Sequence, residues 1–306
     1  MNNRRCASFI QRTQSLNRMA PSSNISLLSI VHGRRSHLNN LLRGIAEQHC
    51  PPKEVVVVFM NEAIPDQLTD PGCPFFPIQL NSDDHQLPLA ATRNLAASRA
   101  QGDLLAFLDV DCIPDPDYLC HLQQAVDRTH GLVMGDVRYL PPDAASGHWS
   151  FADLDRKAQA HPRRPAIPDG KDLMTLPYPL FWSLAFGLRA SDFARLGGFD
   201  EGYVGYGGED TDFAFNARLT RLPLYACTAR AYHQHHPVYS PPYNHLTDIV
   251  SNAQRFHAKW KIWPMEGWLK QFQHEGLIRW DLNQLEILKQ PADHQIAAAR
   301  SDALFV

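Results

Sequence analysis

Two aspartates stand one residue apart in AFLDVDCIPDPDYL, residues 106–119: Asp109 and Asp111, where an apolar run gives way to Ile-Pro-Asp-Pro. In an extended chain positions i and i+2 share a face, so two carboxylates placed there either repel each other or share a counter-ion. A divalent cation with oxygen ligands is the natural counter-ion. Far downstream, Glu209-Asp210-Thr211-Asp212 closes a loop with six glycines between 197 and 208. Acids in the first turn of a helix stabilise it by a few tenths to ~1 kcal/mol, which explains the acids and leaves the glycines unexplained. A loop so rich in residues lacking Cβ either adopts positive φ repeatedly or lets another group approach its backbone closely. A third cluster, His233-Gln234-His235-His236, is either a metal-binding tract or a polar strand end.

These groups need a frame. ISLLSIV (25–31) reads as a strand that stops at His32-Gly33-Arg34-Arg35, before a helical pattern of Leu38, Leu41, Leu42 and Ile45. KEVVVVFMNEA reads as a strand buried on both faces that ends at Asn61 and Glu62. A short strand near FPIQL precedes a Pro-initiated helix, LPLAATRNLAASRAQG, with Gly102 at the expected stop. DLLAFLDVD then reads as a strand running through both aspartates. Alternating strands and helices predict a parallel α/β sheet, which binds ligands beyond the carboxyl ends of its strands. His32 to Arg35, Asn61, Glu62, Asp109 and Asp111 all fall on that rim.

Asp115-Pro116 predicts an N-cap and first turn for DYLCHLQQAVDRTH, so Asp115 and Asp117 are assigned to capping and not to metal. The proline-rich stretch 140–180 reads as loops crossing the mouth of the sheet, where substrates are selected. A strand LAFGLR, a helical turn near Ser191, the glycine loop and a helix through Phe213, Phe215 and Ala217 follow. A strand over 223–232 then leads into the histidines. From Leu246, Ile249, Ala253, Phe256 and Trp260 keep helical register, and the Met and Trp residues of WPMEGWL read as core.

With 306 residues, 44% hydrophobic and 20% charged, the chain accommodates one large domain and a tail: a leader over 1–24, a domain over 25–240 and a helical extension over 241–306. A net charge of -3 gives no basic footprint, so no nucleic-acid partner is expected. The six cysteines include no CxxC pair, which argues against a zinc ribbon and a disulfide scaffold and for a reducing cytoplasm. The leader has no apolar segment of the signal-peptide kind. The longest apolar run, LMTLPYPLFWSLAFGL, is broken by Pro177 and Pro179, so no transmembrane segment is expected, while peripheral association with the inner face of the membrane stays open.

The order of strand, basic turn, strand and helix with ATRNLAASRAQGDLLAFLDVD, then GGFDEGYVGYGGEDTDF and a late AYHQ, resembles glycosyltransferases of the GT-A fold. The match is to inverting family-2 enzymes and the β-1,4-galactosyltransferase group, over about residues 25–240. The resemblance implies a Rossmann-like, mostly parallel sheet with a donor half over about 25–140 and an acceptor half over about 180–240. It implies a UDP-sugar donor, a glycan or other hydroxyl-bearing acceptor, and Mn2+ or Mg2+ as cofactor. By resemblance Asp111 and His233 hold the metal, with His235 and His236 as lesser alternatives, and Asp109 meets the ribose or a metal-bound water. Asp210 is the general base that takes the acceptor's proton, Glu209 binds the acceptor sugar, Tyr206 offers an aromatic platform, and Gly207 and Gly208 leave room for the donor sugar. His32, Arg34, Arg35 and Arg93 are placed near the uridine and diphosphate, and Asn61 or Glu62 near the base. Relatives that retain configuration tend to carry Asn where this chain has Asp210, so inversion is expected.

Two departures stand out. Glu62 in FMNEA replaces the aspartates usual after the second strand, and the galactosyltransferases' methionine ligand has no evident counterpart before His233. Two rival readings are a nucleotidyltransferase, which shares the paired aspartates but carries a glycine-rich basic loop that HGRRSH lacks, and a catalytically silent binding module.

Overall fold

The computed structural model describes residues 24–82 and 86–305; the expected leader, up to residue 23, lies outside the described residues. The first half alternates as the sequence predicts: β1 (Ile25–Val31), α1 (Arg35–Ala46), β2 (Glu54–Met60), β3 (Phe75–Leu80), α2 (Leu89–Arg99) and β4 (Leu104–Leu108). Then come β5 (Cys112–Pro114), α3 (Tyr118–Thr129), β6 (Leu132–Tyr139), α4 (Phe151–Lys157), β7 (Gln159–Ala160), β8 (Leu173–Thr175), β9 (Ala185–Arg189), α5 (Ala190–Leu196), α6 (Glu209–Leu219) and β10 (Leu224–His233). The C-terminal part adds β11 (Val238–Tyr239), α7 (Leu246–Trp260), α8 (Glu266–His274), β12 (Ile278–Trp280), β13 (Leu285–Ile287), α9 (Asp293–Ala299) and β14 (Arg300–Ser301).

The main sheet runs β3-β2-β1-β4-β9-β6-β10-β5, with β7 on β6 and β8 on β10. Pairings β2/β3, β1/β2, β1/β4 and β6/β10 are parallel, and β9 lies antiparallel between β4 and β6. Strands β1, β2 and β4 are buried along their whole length, as continuous apolar runs covered on both faces must be. Leu38, Leu41, Leu42, Leu119, Leu122 and Val126 of α1 and α3 pack on one face. Ala90, Ala96, Phe193, Phe213 and Ala217 of α2, α5 and α6 pack on the other. On that second side Phe199 stacks on Phe213 at 4.3 Å and Phe107 on Phe186 at 4.6 Å. A separate cluster around Ile249, Leu269, Phe272 and Leu277 holds the C-terminal helices together.

Several local expectations are corrected. Strand β4 stops at Leu108, and Asp109-Val110-Asp111 forms a turn: the Asp109 amide donates to Leu184 O at 2.8 Å and the Cys112 amide to Asp109 O at 2.9 Å. The chain turns here because β5 must reverse to pair antiparallel with β10, which sets Cys112 opposite His233. Gly102 is not the stop of α2, whose C-cap is Ala100. A Cβ on Gly102 would lie 2.7 Å from Asn24 O and Ser26 N, so the glycine lets the backbone cross β1. Asp115 is not the N-cap of α3, which is Asp117; the Asp115 carboxylate accepts instead from the Tyr232 hydroxyl at 3.0 Å and the Asp117 amide at 3.2 Å. Residues 140–180 are not loop throughout, since α4, with its Ser150 and Asp153 capping box, and strands β7 and β8 extend the sheet. Cys50 and Cys120 form a disulfide across 70 residues of sequence. Such a pair has no local spacing signal, and its presence removes the cysteine argument for a reducing compartment.

Candidate active site

The register of β5 against β10 brings the end of the DVD turn to the end of the histidine strand. Asp111, His233 and His236 each present one ligand atom, all within 4.8 Å of one another. His236 Nε2 is 3.7 Å from Asp111 Oδ2, and the two imidazoles are 5.2 Å apart. Asp111 also contacts the Arg34 guanidinium through Oδ2, whereas its Oδ1 is buried without a hydrogen bond. Burial pushes the Asp111 carboxyl upward, but the Arg34 guanidinium, by hydrogen bond and charge, outweighs it and holds the group below its ordinary value. Burial pushes the His233 imidazole down to about 3 and lowers that of His236, so both rings are neutral with lone pairs available. A buried carboxylate beside two neutral imidazoles, with one of its oxygens lacking a hydrogen-bond partner, fits a divalent transition metal. His235 turns away, its Nε2 3.0 Å from Asp302 O. Gln234 is the fastener: its amide donates to Asp111 O at 2.7 Å and its side chain bonds His37 O and Asn40 on α1.

Arg93 joins this half of the rim to the other. It lies on the buried face of α2 and is only 5% exposed. Its Nη2 reaches Asp109 Oδ1 at 3.4 Å and its Nη1 reaches Glu209 Oε1 at 3.2 Å. One guanidinium therefore bridges the DVD turn and the head of α6. Burial raises the Asp109 pKa to about 6, against the pull of Arg93 and with a further push from Asp111. Burial, with the neighbouring Glu209, pushes that of Asp210 up to about 7, although Asp210 Oδ1 accepts from the Thr211 amide at 2.6 Å. A carboxylate so raised has greater basicity than a solvated one, as proton abstraction near neutral pH requires.

The other rim residues are tied to protein partners. His32 Nδ1 lies 2.7 Å from Met60 O, the Gly33 amide donates to Glu62 at 2.8 Å, and Arg35 donates to Gln67 O at 3.0 Å. Asn61, with φ of 51°, accepts from the Ser82 amide at 2.7 Å. These contacts fasten the ends of β1 and β2 together and leave His32, Arg34, Arg35, Asn61 and Glu62 along one edge.

The glycine loop answers a question the sequence left open. A Cβ on Gly202 would fall 2.0 Å from Arg255, on Gly205 2.3 Å from Asp248, and on Gly207 2.7 Å from Met265 Sδ. Each of these intruders belongs to the C-terminal helices or their approach. The space at Gly207 is thus filled by Met265, and that at Gly208, φ 93°, is bounded by Tyr203 at 3.3 Å. Asn252 of α7 donates to Val204 O at 3.0 Å, and Arg255 pairs with Asp200 at 2.6 Å. Tyr206 is 40% exposed, stacks on His245 at 4.6 Å and lies 5.6 Å from Trp268, so Met265 and Trp268 serve the loop as well as the core.

Sequence reasoning missed three features. Asp212, wholly buried, accepts from Trp260 at 2.7 Å, Lys259 at 2.8 Å, Asn216 at 3.1 Å and Tyr203 at 3.2 Å, fixing α6 to α7. Its signal was an acid among buried apolar residues, which burial without partners forbids. Tyr139 packs 4.8 Å from His233 and 5.4 Å from His161, and Phe305 closes on both Tyr139 and His161. Arg164 lies 4.5 Å over the Trp182 ring. No periodicity marked His161, Arg164 or Phe305.

Comparison with known proteins agrees with this geometry. Residues 26–193 match the family described as Glycosyl transferase family 2, and residues 172–237 match the N-terminal domain of galactosyltransferase. A validoxylamine A glucosyltransferase of Streptomyces hygroscopicus subsp. limoneus is 27% identical over 232 residues, covering 66% of this chain and 50% of that protein. A beta-1,4-galactosyltransferase 2 of Mus musculus is 30% identical over 113 residues, 34% of this chain and 31% of that one. The chain spans about half the length of the validoxylamine A glucosyltransferases it matches. Among solved structures, S. aureus TarS 1-349 in complex with UDP superposes with a TM-score of 0.50 at 16% identity, covering 83% of this chain and 78% of that one. GalNAc-T7 with UDP, GalNAc and Mn2+ gives 0.50 at 15% identity, covering 82% and 54%. These two likenesses establish the GT-A fold.

Proposed function

The chain belongs to glycosyl transferase family 2, and from that premise we propose a metal-dependent, inverting glycosyltransferase that moves a hexose or N-acetylhexosamine from a UDP-sugar to a glycan or other hydroxyl acceptor. The observation that carries the reading is the Arg93 bridge, which sets a cluster fit for a cation and an acid pair with one raised carboxylate on a single rim. Asp111, His233 and His236 would hold Mn2+ or Mg2+, which as a Lewis acid stabilises charge gathering on a leaving diphosphate. His32, Arg34, Arg35, Asn61 and Glu62 line the edge where the nucleotide would lie. Asp109, held by Arg93, would meet the ribose or a metal-bound water. Asp210 accepts the proton of the attacking hydroxyl as the new bond forms at the anomeric carbon, and Glu209, Tyr206 and Gly208 border the acceptor. Attack from the side opposite the diphosphate gives inversion.

The reading is supported by relatives named as a glucosyltransferase and a galactosyltransferase, and a role in building a polysaccharide or other glycan follows from it. Among the described residues, no helix is long and apolar enough to cross a membrane. The test is a UDP-release screen over a panel of sugar nucleotides with Mn2+. Release of UDP from one donor is the expected result; pyrophosphate in its place would identify a nucleotidyltransferase, and no turnover alongside tight nucleotide binding would identify a binding module.

A further inference from the structure

Arg164 stands beside the rim with no part in the site described so far. Strand β7 pairs with β6 so that Gln159 lies opposite Tyr139, and the chain then turns at His161: the Arg164 amide donates to His161 O at 3.0 Å and the Arg163 amide to His161 Nδ1 at 3.1 Å. Arg163 is exposed, whereas Arg164 turns inward over Trp182. His161 meets Trp182 edge-on at 4.9 Å and Phe305 at 5.1 Å, and Phe305 also closes on Tyr139 at 5.5 Å. Two walls of this box adjoin the rim. Tyr139 packs on His233, and Trp182 stands just before Leu184, whose carbonyl accepts from the Asp109 amide.

Within the box, Arg164 Nε and Nη2 are buried with no hydrogen-bond partner. Stacking on Trp182 engages the flat face of the guanidinium and leaves the donors in its plane unused. The described residues supply no free counter-ion either. The carboxylate whose charge reaches Arg164, Asp136, is already shared by Arg138 and Arg230 at 2.9 and 3.2 Å. Tyr139, Cys112 and His161, the other groups around it, are uncharged. A buried cation without a counter-ion is costly to the fold and so calls for a partner from outside it.

We propose that Arg164, walled by Trp182, His161 and Tyr139, is an anion subsite beside the rim that takes a carboxylate or phosphate group carried by a sugar substrate. The inference rests on the reading of the rim as the site of a UDP-sugar and its acceptor, and adds the substrate class: an anionic saccharide. Nε and Nη2 lie on one edge of the guanidinium, the edge that meets two oxygens of a carboxylate or phosphate in parallel. The leaving diphosphate is not this group, because Arg34 and the cluster of Asp111, His233 and His236 would already supply its cations, and Arg164 contacts none of them. Phe305, outside every strand and helix, is the wall that the entering group displaces. A hexuronate in the donor, or a hexuronate or sugar phosphate in the acceptor, offers the same chemistry to Arg164.

The experiment is a pair of calorimetric titrations on the full chain with Mn2+. The donor arm compares UDP-glucuronate with UDP-glucose, which differ by one carboxylate on the sugar. The acceptor arm, with UDP also present, compares glucuronic acid and glucose 6-phosphate with glucose. The expected result is binding of the charged probe at least about tenfold tighter than that of its neutral counterpart in one arm or both, which identifies the carrier of the anion. Arg164→Met should erase that preference, and Arg164→Lys, which keeps the charge without the two-nitrogen edge, should keep part of it, with affinity for UDP itself moved less than about twofold. The urea midpoint of ligand-free Arg164→Met should be no lower than that of wild type, because the substitution removes a charge that nothing in the fold neutralises. No preference in either arm, the same preference in Arg164→Met, or an equal loss of affinity for UDP, which would give Arg164 to the diphosphate, would overturn the proposal. A lowered midpoint would make Arg164 a structural cation on Trp182 and overturn it as well. Because the readout is binding, it stands apart from the UDP-release screen: an active transferase without the preference keeps its reaction and loses the subsite, and a protein with the preference that releases no UDP keeps the subsite and loses the reaction.

Discussion

Replacing Arg93 by methionine keeps most of the side-chain volume and removes the charge that Asp109 and Glu209 share. Asp109 titrates from 3.8 in an unfolded chain to about 6 in the folded one, chiefly through burial. The folded state then binds more protons than the unfolded state between these values, so stability falls as pH rises through them. At about 1.4 kcal/mol per pH unit, the two units between amount to roughly 3 kcal/mol of destabilisation at neutral pH. Without Arg93, Asp109 rises further and the window extends upward. Removing one partner of a buried pair costs about 3–5 kcal/mol when the other stays charged. Urea denaturation followed by tryptophan fluorescence should therefore show Arg93→Met losing about 3–5 kcal/mol at about pH 8 and distinctly less at about pH 5, where Asp109 takes up a proton. An equal loss at both pH values would mean that Arg93 contributes packing against Phe199, which it overlies at 5.3 Å, and not charge. A loss below about 1 kcal/mol at the higher pH would refute the bridge altogether, since exposed pairs give no more than that.

Asp210→Asn should lower transfer by a factor of ~10² to 10⁴, the usual share of a general base, with UDP affinity nearly intact by calorimetry; unchanged turnover removes Asp210 as base. The pH profile of kcat/KM should rise with Asp210 ionisation, with a midpoint near its raised value of about 7, and a midpoint close to 3.8 would show that the group is solvated in the working enzyme. Asp212→Ala removes the shared acceptor of Trp260, Lys259, Asn216 and the buried Tyr203 hydroxyl, so a loss of about 1–3 kcal/mol is expected in chemical denaturation, and a near-neutral effect would mean that α6 and α7 are held by packing alone.

The strands and helices of the first half were legible because burial on both faces writes continuous apolar runs such as EVVVVFM, and helices write their three- and four-residue spacing. The ends of β1 and β2 were legible for the same reason, at Val31 and Met60 where the apolar runs stop, whereas β4 ends at Leu108, before the aspartates expected on it. What could not be read depended on partners distant in sequence. Arg93 looked like a donor contact on an alanine-rich helix, because nothing nearby shows that it meets Asp109 and Glu209 together. His236 joins Asp111 where His235 does not, a choice made by Asp302 and the register of β5, not by the histidines' spacing. The glycines of the loop were singled out as calling for positive φ or close approach, and both occur: Gly197, Gly198, Gly205, Gly207 and Gly208 have positive φ, and the groups that crowd Gly202, Gly205 and Gly207 come from the C-terminal part of the chain, whose helices have an ordinary amphipathic pattern.

On the proposed reading Asp111, His233 and His236 would hold a divalent ion that supports the nucleotide's diphosphate. Calorimetric titration of UDP into wild type and Asp111→Ala, with Mn2+ and with a chelator, tests it directly. The expected result is that Mn2+ tightens UDP binding in wild type and that Asp111→Ala erases this gain while leaving affinity in chelator unaltered. An equal loss in chelator, or no dependence on Mn2+ in wild type, would contradict it.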